Sequence, residues 1–246
     1  SGSSWVKQAS SGNCWNFSLH AESKNLAADL SFTGSVPPWR PGAGKGYYGD
    51  MEHYFAWLAS MPYGSVEGRL TYDGQTHAVN GTGYHDHNWG NVALPSVMDH
   101  WFWGRAHVGD YTLIFVEQIA AKKYGSRRMP VFLLAKGEKV LVDEARCLTM
   151  QARDFTQHPG GRKYPCEVDF TWKRDHEQVM LKLRKQILIE GTSLLGALPP
   201  RKRALVRLFA NPYYFRFNTE LDLTIDLDNL HDSVRGPALY EIMMLR

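Results

Sequence analysis

Cysteine is scarce in this 246-residue chain: Cys14, Cys147 and Cys166 are the whole set. They make no C-x-x-C pair and no zinc-ligand spacing, which excludes a cysteine-built metal module or a disulfide scaffold. At most one internal disulfide can form, with Cys147 and Cys166 the nearer pair, and the redox compartment stays open. Charge of one sign is lacking too. With 28 Lys and Arg against 25 Asp and Glu, the formal charge is +3, and nothing argues for a nucleic-acid partner. The basic residues gather only at Lys122, Lys123, Arg127 and Arg128 and at Arg201, Lys202, Arg203 and Arg207, which read as solvated loop faces. No apolar run reaches the roughly 18 residues of a membrane-spanning helix, so stable membrane insertion is not expected. There is no G-x-S-x-G nucleophile elbow, no internal repeat and no low-complexity segment. Helical periodicity is nearly missing as well; only 200–210 (PRKRALVRLFA) places Ala204, Leu205, Leu208 and Phe209 along one side.

What the chain does have is aromatic side chains, with eight Trp and twelve Tyr, and alternation with a period of two. Strands are predicted over 15–20, 26–32, 66–72, 77–84, 101–107, 111–120, 130–135, 147–155, 166–174, 178–189, 213–226 and 238–245. Turn residues punctuate them at Tyr72-Asp73-Gly74-Gln75, Val108-Gly109-Asp110, Lys136-Gly137-Glu138 and His158-Pro159-Gly160-Gly161. In FRFNTELDLTI (215–225), Phe215, Phe217, Thr219, Leu221, Leu223 and Ile225 share one face, and Arg216, Asn218, Glu220, Asp222 and Thr224 the other. The fold class is therefore all-β in two domains. Residues 1–96 make a sandwich-like part, with a break near Leu94-Pro95-Ser96, and residues 97–246 make a part the size of a lipocalin-like barrel.

GYHDHNWG (83–90) is the polar anomaly. On a strand, His85 and His87 face one way and Asp86 the other. The histidines could chelate a metal with Glu117 as a distant third ligand, although the neighbouring residues mark no such set. They could instead transfer protons with Asp86, or Asp86 and Glu117 could act as paired carboxylates. The bland alternative has Asp86 and Asn88 pin a sheet bend, with Trp89 packed beneath and Gly83 and Gly90 permitting the backbone. Nearby, DHWFWGRAH (99–107) puts Trp101, Trp103 and Arg105 on one strand face. YYGDMEHYFAW (47–57) adds Tyr54 and Trp57, and Asn211 with Tyr213-Tyr214 adds a less specific group; such aromatics are core or the wall of an apolar cavity. Asn16-Phe17-Ser18 and Asn80-Gly81-Thr82 are glycosylation triplets, which tilt the reading slightly toward a secretory route. The opening Ser-Gly-Ser-Ser reads as a processed or trimmed end, which leaves an earlier signal open.

GTGYHDHNWG (81–90), followed by WFWGRA (101–106), resembles the hydroxyneurosporene-synthase-like, or carotenoid 1,2-hydratase-like, proteins. PYGSVEGRLTYDGQTHAVNG (62–81) and GPALYEIMMLR (236–246) are similar to the fungal branch that contains lipocalin-like Diels-Alderases. The resemblance implies two β-domains, a hydrophobic pocket in or between them, and no metal or organic cofactor. It implies a cofactor-independent pericyclase that performs a [4+2] cycloaddition on an apolar polyketide or terpenoid. A polyene hydratase or isomerase and a lipid carrier are the alternatives. His85, His87 and Arg105 would then polarise the substrate, and Tyr54, Trp57, Asp86, Asn88, Trp89, Trp101, Trp103, Glu117 and Tyr214 would bind it. Against the family pattern, the first domain reads as short, as if strands were missing before Ser1; the oligomeric state stays open.

Overall fold

The computed structural model describes residues 4–9, 12–21, 24–197 and 211–246. The expected helix over 200–210, with Arg201, Lys202, Arg203 and Arg207, lies outside them. The strands are β1 (Trp5–Gln8), β2 (Cys14–Ala21), β3 (Leu26–Gly34), β4 (Lys45–Tyr47), β5 (Tyr54–Tyr72), β6 (Gln75–Gly90), β7 (Met98–Val108) and β8 (Tyr111–Ala120). They continue as β9 (Arg128–Lys136), β10 (Lys139–Val142), β11 (Leu148–Gln157), β12 (Lys163–Arg174), β13 (Glu177–Ser193), β14 (Tyr213–Leu227) and β15 (Leu230–Met244). One α-helical turn, α1 (Leu94–Val97), precedes β7. The protein is nearly all β, in two sheets.

The first sheet has six strands in the order β1-β2-β3-β5-β4, with β6 also paired to β5. A sandwich needs a second facing layer, and residues 1–96 supply a single sheet among the described residues. Strands β5 and β6 are long, at 19 and 16 residues. Their hairpin turns on Asp73 (φ +50°) and Gly74 (φ +73°), a left-handed pair whose twist matches that of the flanking strands. Pro62, which cannot donate to a ladder, falls where β5 changes partner, between the Trp39–Ala59 bridge and the Gly34–Gly64 pair.

The second sheet has nine strands in the order β10-β9-β8-β7-β15-β14-β13-β12-β11. It consists of two meanders, β7 to β10 and β11 to β15, stitched along β15 and β7 from Ala238–Ala106 to Met244–His100. The ladder does not close into the expected barrel, because β10 and β11 stay as edges. A side chain spans the gap instead. Arg128 grips Glu117 through Nε and Nη2, both at 2.6 Å, and Nη2 also donates to the Leu148 carbonyl of β11 at 3.3 Å. Arg128 is thus no solvated loop cation, and Arg127 donates to the Tyr47 carbonyl at 2.9 Å.

Alternation along β14 delivers Phe215, Phe217, Thr219, Leu221, Leu223 and Ile225 to one core, as read from the sequence. Phe115, Phe132, Phe170, Phe215, Phe217 and Tyr240 each have no accessible surface there, so no water-sized void adjoins them. These rings form the packed centre of the second sheet's core. The three cysteines are free thiols, Cys147 and Cys166 included.

By contacts the chain divides into two compact units. One comprises Ser1–Gly44, Trp57–Asn88 and Gly137–Lys139; the other comprises Lys45–Ala56, Trp89–Lys136 and Val140–Arg246.

Candidate functional site

In the first unit, the motif strand β6 puts its polar groups on opposite faces. On one face, the Asp86 carboxylate accepts from Trp57 Nε1 at 2.8 Å and from the Tyr84 hydroxyl at 3.0 Å, both on Oδ2. Trp57 is buried and lies edge-on to Trp39 at 6.1 Å, so Asp86 orients an indole. On the other face, His85 Nδ1 is hydrogen-bonded to the Ser60 hydroxyl, and Ser60 is 1% exposed. Phe17 meets the imidazole edge-on at 4.9 Å and Trp15 lies at 5.4 Å. Burial pushes the His85 pKa below the ordinary 6.5, against the pull of Asp86 and with the push of His87. His87 and Asn88 are exposed at the end of the strand, as is Trp89, which belongs to the second unit.

The two motif glycines serve close packing. A Cβ at Gly83 would strike the Phe32 ring and Val66, and one at Gly90 would strike the Tyr54 carbonyl, whereas Gly81 faces open space. The Asn16 side chain is half-buried on β2, which is paired on both edges, and Asn80 is exposed on β6.

In the second unit, β7 sends Phe102, Ala106 and Val108 into the packed core and leaves Trp101, Trp103 and Arg105 half-buried on the opposite face. Register then carries that face across two more strands. Trp101 pairs with Met243 and Met243 with Tyr214; Trp103 pairs with Glu241 and Glu241 with Arg216; Arg105 pairs with Leu239 and Leu239 with Asn218. Four of the expected residues, Trp101, Trp103, Arg105 and Tyr214, therefore share one surface. The sequence reading missed Arg216 and Glu241. Arg216 Nε donates to Glu241 Oε1 at 2.9 Å and to the Tyr214 hydroxyl at 2.8 Å, and its guanidinium carbon lies 5.4 Å from the centre of the Tyr214 ring. Burial, with Glu241 adding to it, raises the Tyr214 pKa well beyond the ordinary phenol value and keeps the group neutral.

Glu117 stands apart from this surface. It alternates with Phe115 on the core side, is 2% exposed, and has both oxygens on Arg128. No three His, Cys, Asp or Glu residues converge as metal ligands among the described residues. Tyr54 belongs to the second unit, with Lys45 Nζ 4.4 Å above its ring and the Asn91 side chain accepting from its backbone N–H.

Comparison with known proteins bears on this arrangement. Residues 2–188 match the family model described as AttH-like. Among curated proteins, a stretch of 118 residues is 34% identical to the quinolone epoxide rearrangement protein asqO of Emericella nidulans, covering 47% of this chain and 32% of that one. The chain spans a third or less of the length of the curated relatives it matches. Among solved structures, CghA with Sch210972 superposes with a TM-score of 0.70 at 10% identity, over 98% of this chain and 67% of that one. Kievitone hydratase from Nectria haematococca gives 0.60 at 16%, over 99% and 69%. These likenesses establish the fold.

Proposed function

The chain belongs to the AttH-like family, and on that premise we propose that it is a cofactor-independent pericyclase acting on an apolar polyketide or terpenoid. The reaction is a [4+2] cycloaddition, Diels-Alder or hetero-Diels-Alder. The observation that carries this reading is the shared face of Trp101, Trp103, Arg105 and Tyr214, opposite the packed aromatic core of the second sheet. The motif resemblance over 81–106 and the family membership support the same assignment.

The chemistry fits the side chains. A cycloaddition breaks no bond by nucleophilic attack; it needs diene and dienophile held face to face, and such positioning lowers a barrier by up to about 7–11 kcal/mol in favourable systems. Two indoles and Met243 offer an apolar wall, with Trp101 and Met243 packed against Tyr48, Val97, Met98 and Leu245, and Arg105 stands in the next row as a donor toward a carbonyl on which charge develops. His85 and His87 would assist as donors, His85 as a neutral imidazole because burial lowers its pKa. In this scheme Asp86 acts through Trp57, and Glu117 acts through the sheet instead of on substrate.

A polyene hydratase or isomerase is the second reading, favoured by Tyr214, a phenol kept protonated beside the same wall. Deleting the gene in the producing organism, and then supplying the accumulated precursor to the protein in deuterated water, separates the readings. A pericyclase loses one cycloadduct, accumulates its open precursor or stray stereoisomers, and adds no solvent deuterium in the step. Deuterium entering at a former alkene carbon selects the hydratase. An unchanged profile rejects both and leaves a carrier.

A further inference from the structure

Arg216 is held in an unusual way for an ion-paired arginine. Both of its acceptors among the described residues, Glu241 Oε1 at 2.9 Å and the Tyr214 hydroxyl at 2.8 Å, are reached by Nε alone. The guanidinium carbon lies 5.4 Å from the centre of the Tyr214 ring, within cation–π range. Neither terminal nitrogen bonds another described residue, and the side chain is 42% exposed while Glu241 is 18% exposed. The result is a half-exposed guanidinium in the same cross-strand row as Trp103, with Glu241 between them, and beside the row of Trp101, Met243 and Tyr214.

The surrounding charge decides what the guanidinium can take. Glu241 neutralises Arg216 at contact, so a full anion would meet its carboxylate. An uncharged oxygen loses nothing to it. It accepts two N–H groups, which are stronger donors for their positive charge. We propose that Arg216 binds and polarises the carbonyl of a flat, conjugated, uncharged substrate whose apolar body lies over Trp101, Trp103 and Met243. This names the substrate class of the face described above and rests on that reading. Glu241 and Tyr214 are positioning residues, since they fix the guanidinium and leave its Nη groups to the ligand. Lysine cannot replace the arrangement, because one ammonium cannot keep both anchors and still present two coplanar donors.

Two probes of matched shape test the assignment on the whole chain: trans-chalcone, an aryl enone, and trans-stilbene, which lacks the carbonyl. Binding is read by quenching of tryptophan fluorescence, and polarisation by the infrared stretch of ¹³C-carbonyl chalcone. The expectation is that chalcone binds about tenfold more tightly than stilbene and that its carbonyl band moves to lower frequency on binding. Arg216→Lys and Arg216→Gln, checked as folded by circular dichroism, should abolish both the preference and the band shift and leave stilbene affinity unchanged. Equal binding of both probes, or a preference that survives in both variants, overturns the role of Arg216 and leaves the apolar face standing. Failure of both probes to bind the unaltered protein overturns the face itself, and the inference with it.

Discussion

At the scale of single residues, His85 shows how a polar side chain is accommodated among rings. Its Nδ1 is committed to a buried serine and its faces to Phe17 and Trp15, so the uncharged form is favoured. An imidazole whose pKa falls on folding binds fewer protons folded than unfolded. Its contribution is intact above the ordinary 6.5 and is lost as pH falls from there toward the folded value. The urea midpoint should therefore drop between about pH 8 and about pH 5.5, and His85→Asn should flatten that drop; an unchanged slope in the variant would place the effect elsewhere. The same strand shows what the sequence could and could not reveal. Opposite facing of His85 and Asp86 follows from alternation and was legible. That Asp86 serves Trp57 was not, because the two are 29 positions apart and meet only through the pairing of β5 with β6. Arg216 and Glu241 escaped notice for the same reason, since their meeting depends on the β14–β15 register.

Among elements, strands with one dry face announced themselves: β14 and β7 alternate cleanly, and their faces were readable residue by residue. The stretch Tyr54–Tyr63 did not, because YFAWLASMPY is apolar at nearly every position and contains a proline. It is the first half of the 19-residue β5, and Trp57 and Ala59–Pro62 are buried on both of its faces, which erases the period-two signal. Strand β6 depends on two glycines for close approach. Gly83→Ala must displace the Phe32 ring or Val66, and Gly90→Ala presses on the fixed Tyr54 carbonyl. Each should cost about 1–3 kcal/mol in thermal or urea unfolding. Gly81→Ala, which meets open space, should stay within about 0.5 kcal/mol. Equal effects at all three would mean that strand propensity, and not crowding, governs this segment.

For the molecule as a whole, composition and turn spacing were enough for an all-β architecture, whereas closure depended on which strands become edges, and no local signal carries that. The seam rests on Glu117 and Arg128. Glu117 is buried at 3% side-chain exposure and Arg128 is 48% exposed, so the two partners are not equivalent. Arg128→Met strands a carboxylate in the core and should cost about 3 kcal/mol or more, by the measure of broken buried pairs. Glu117→Gln leaves a guanidinium that can turn to water, and should cost less. Equal losses in urea unfolding would contradict this ordering. The seam also has a topological side. The two edge strands, β10 and β11, are consecutive in the chain, so the gap in the ladder is bridged covalently by the short link 143–147. A cut in that link removes no ladder hydrogen bond, and the two meanders would still meet along β7 and β15. The protein is thereby disposed to fragment complementation: two separately expressed pieces, divided at 143–147, each carry a whole meander and a complementary edge on which to find the other.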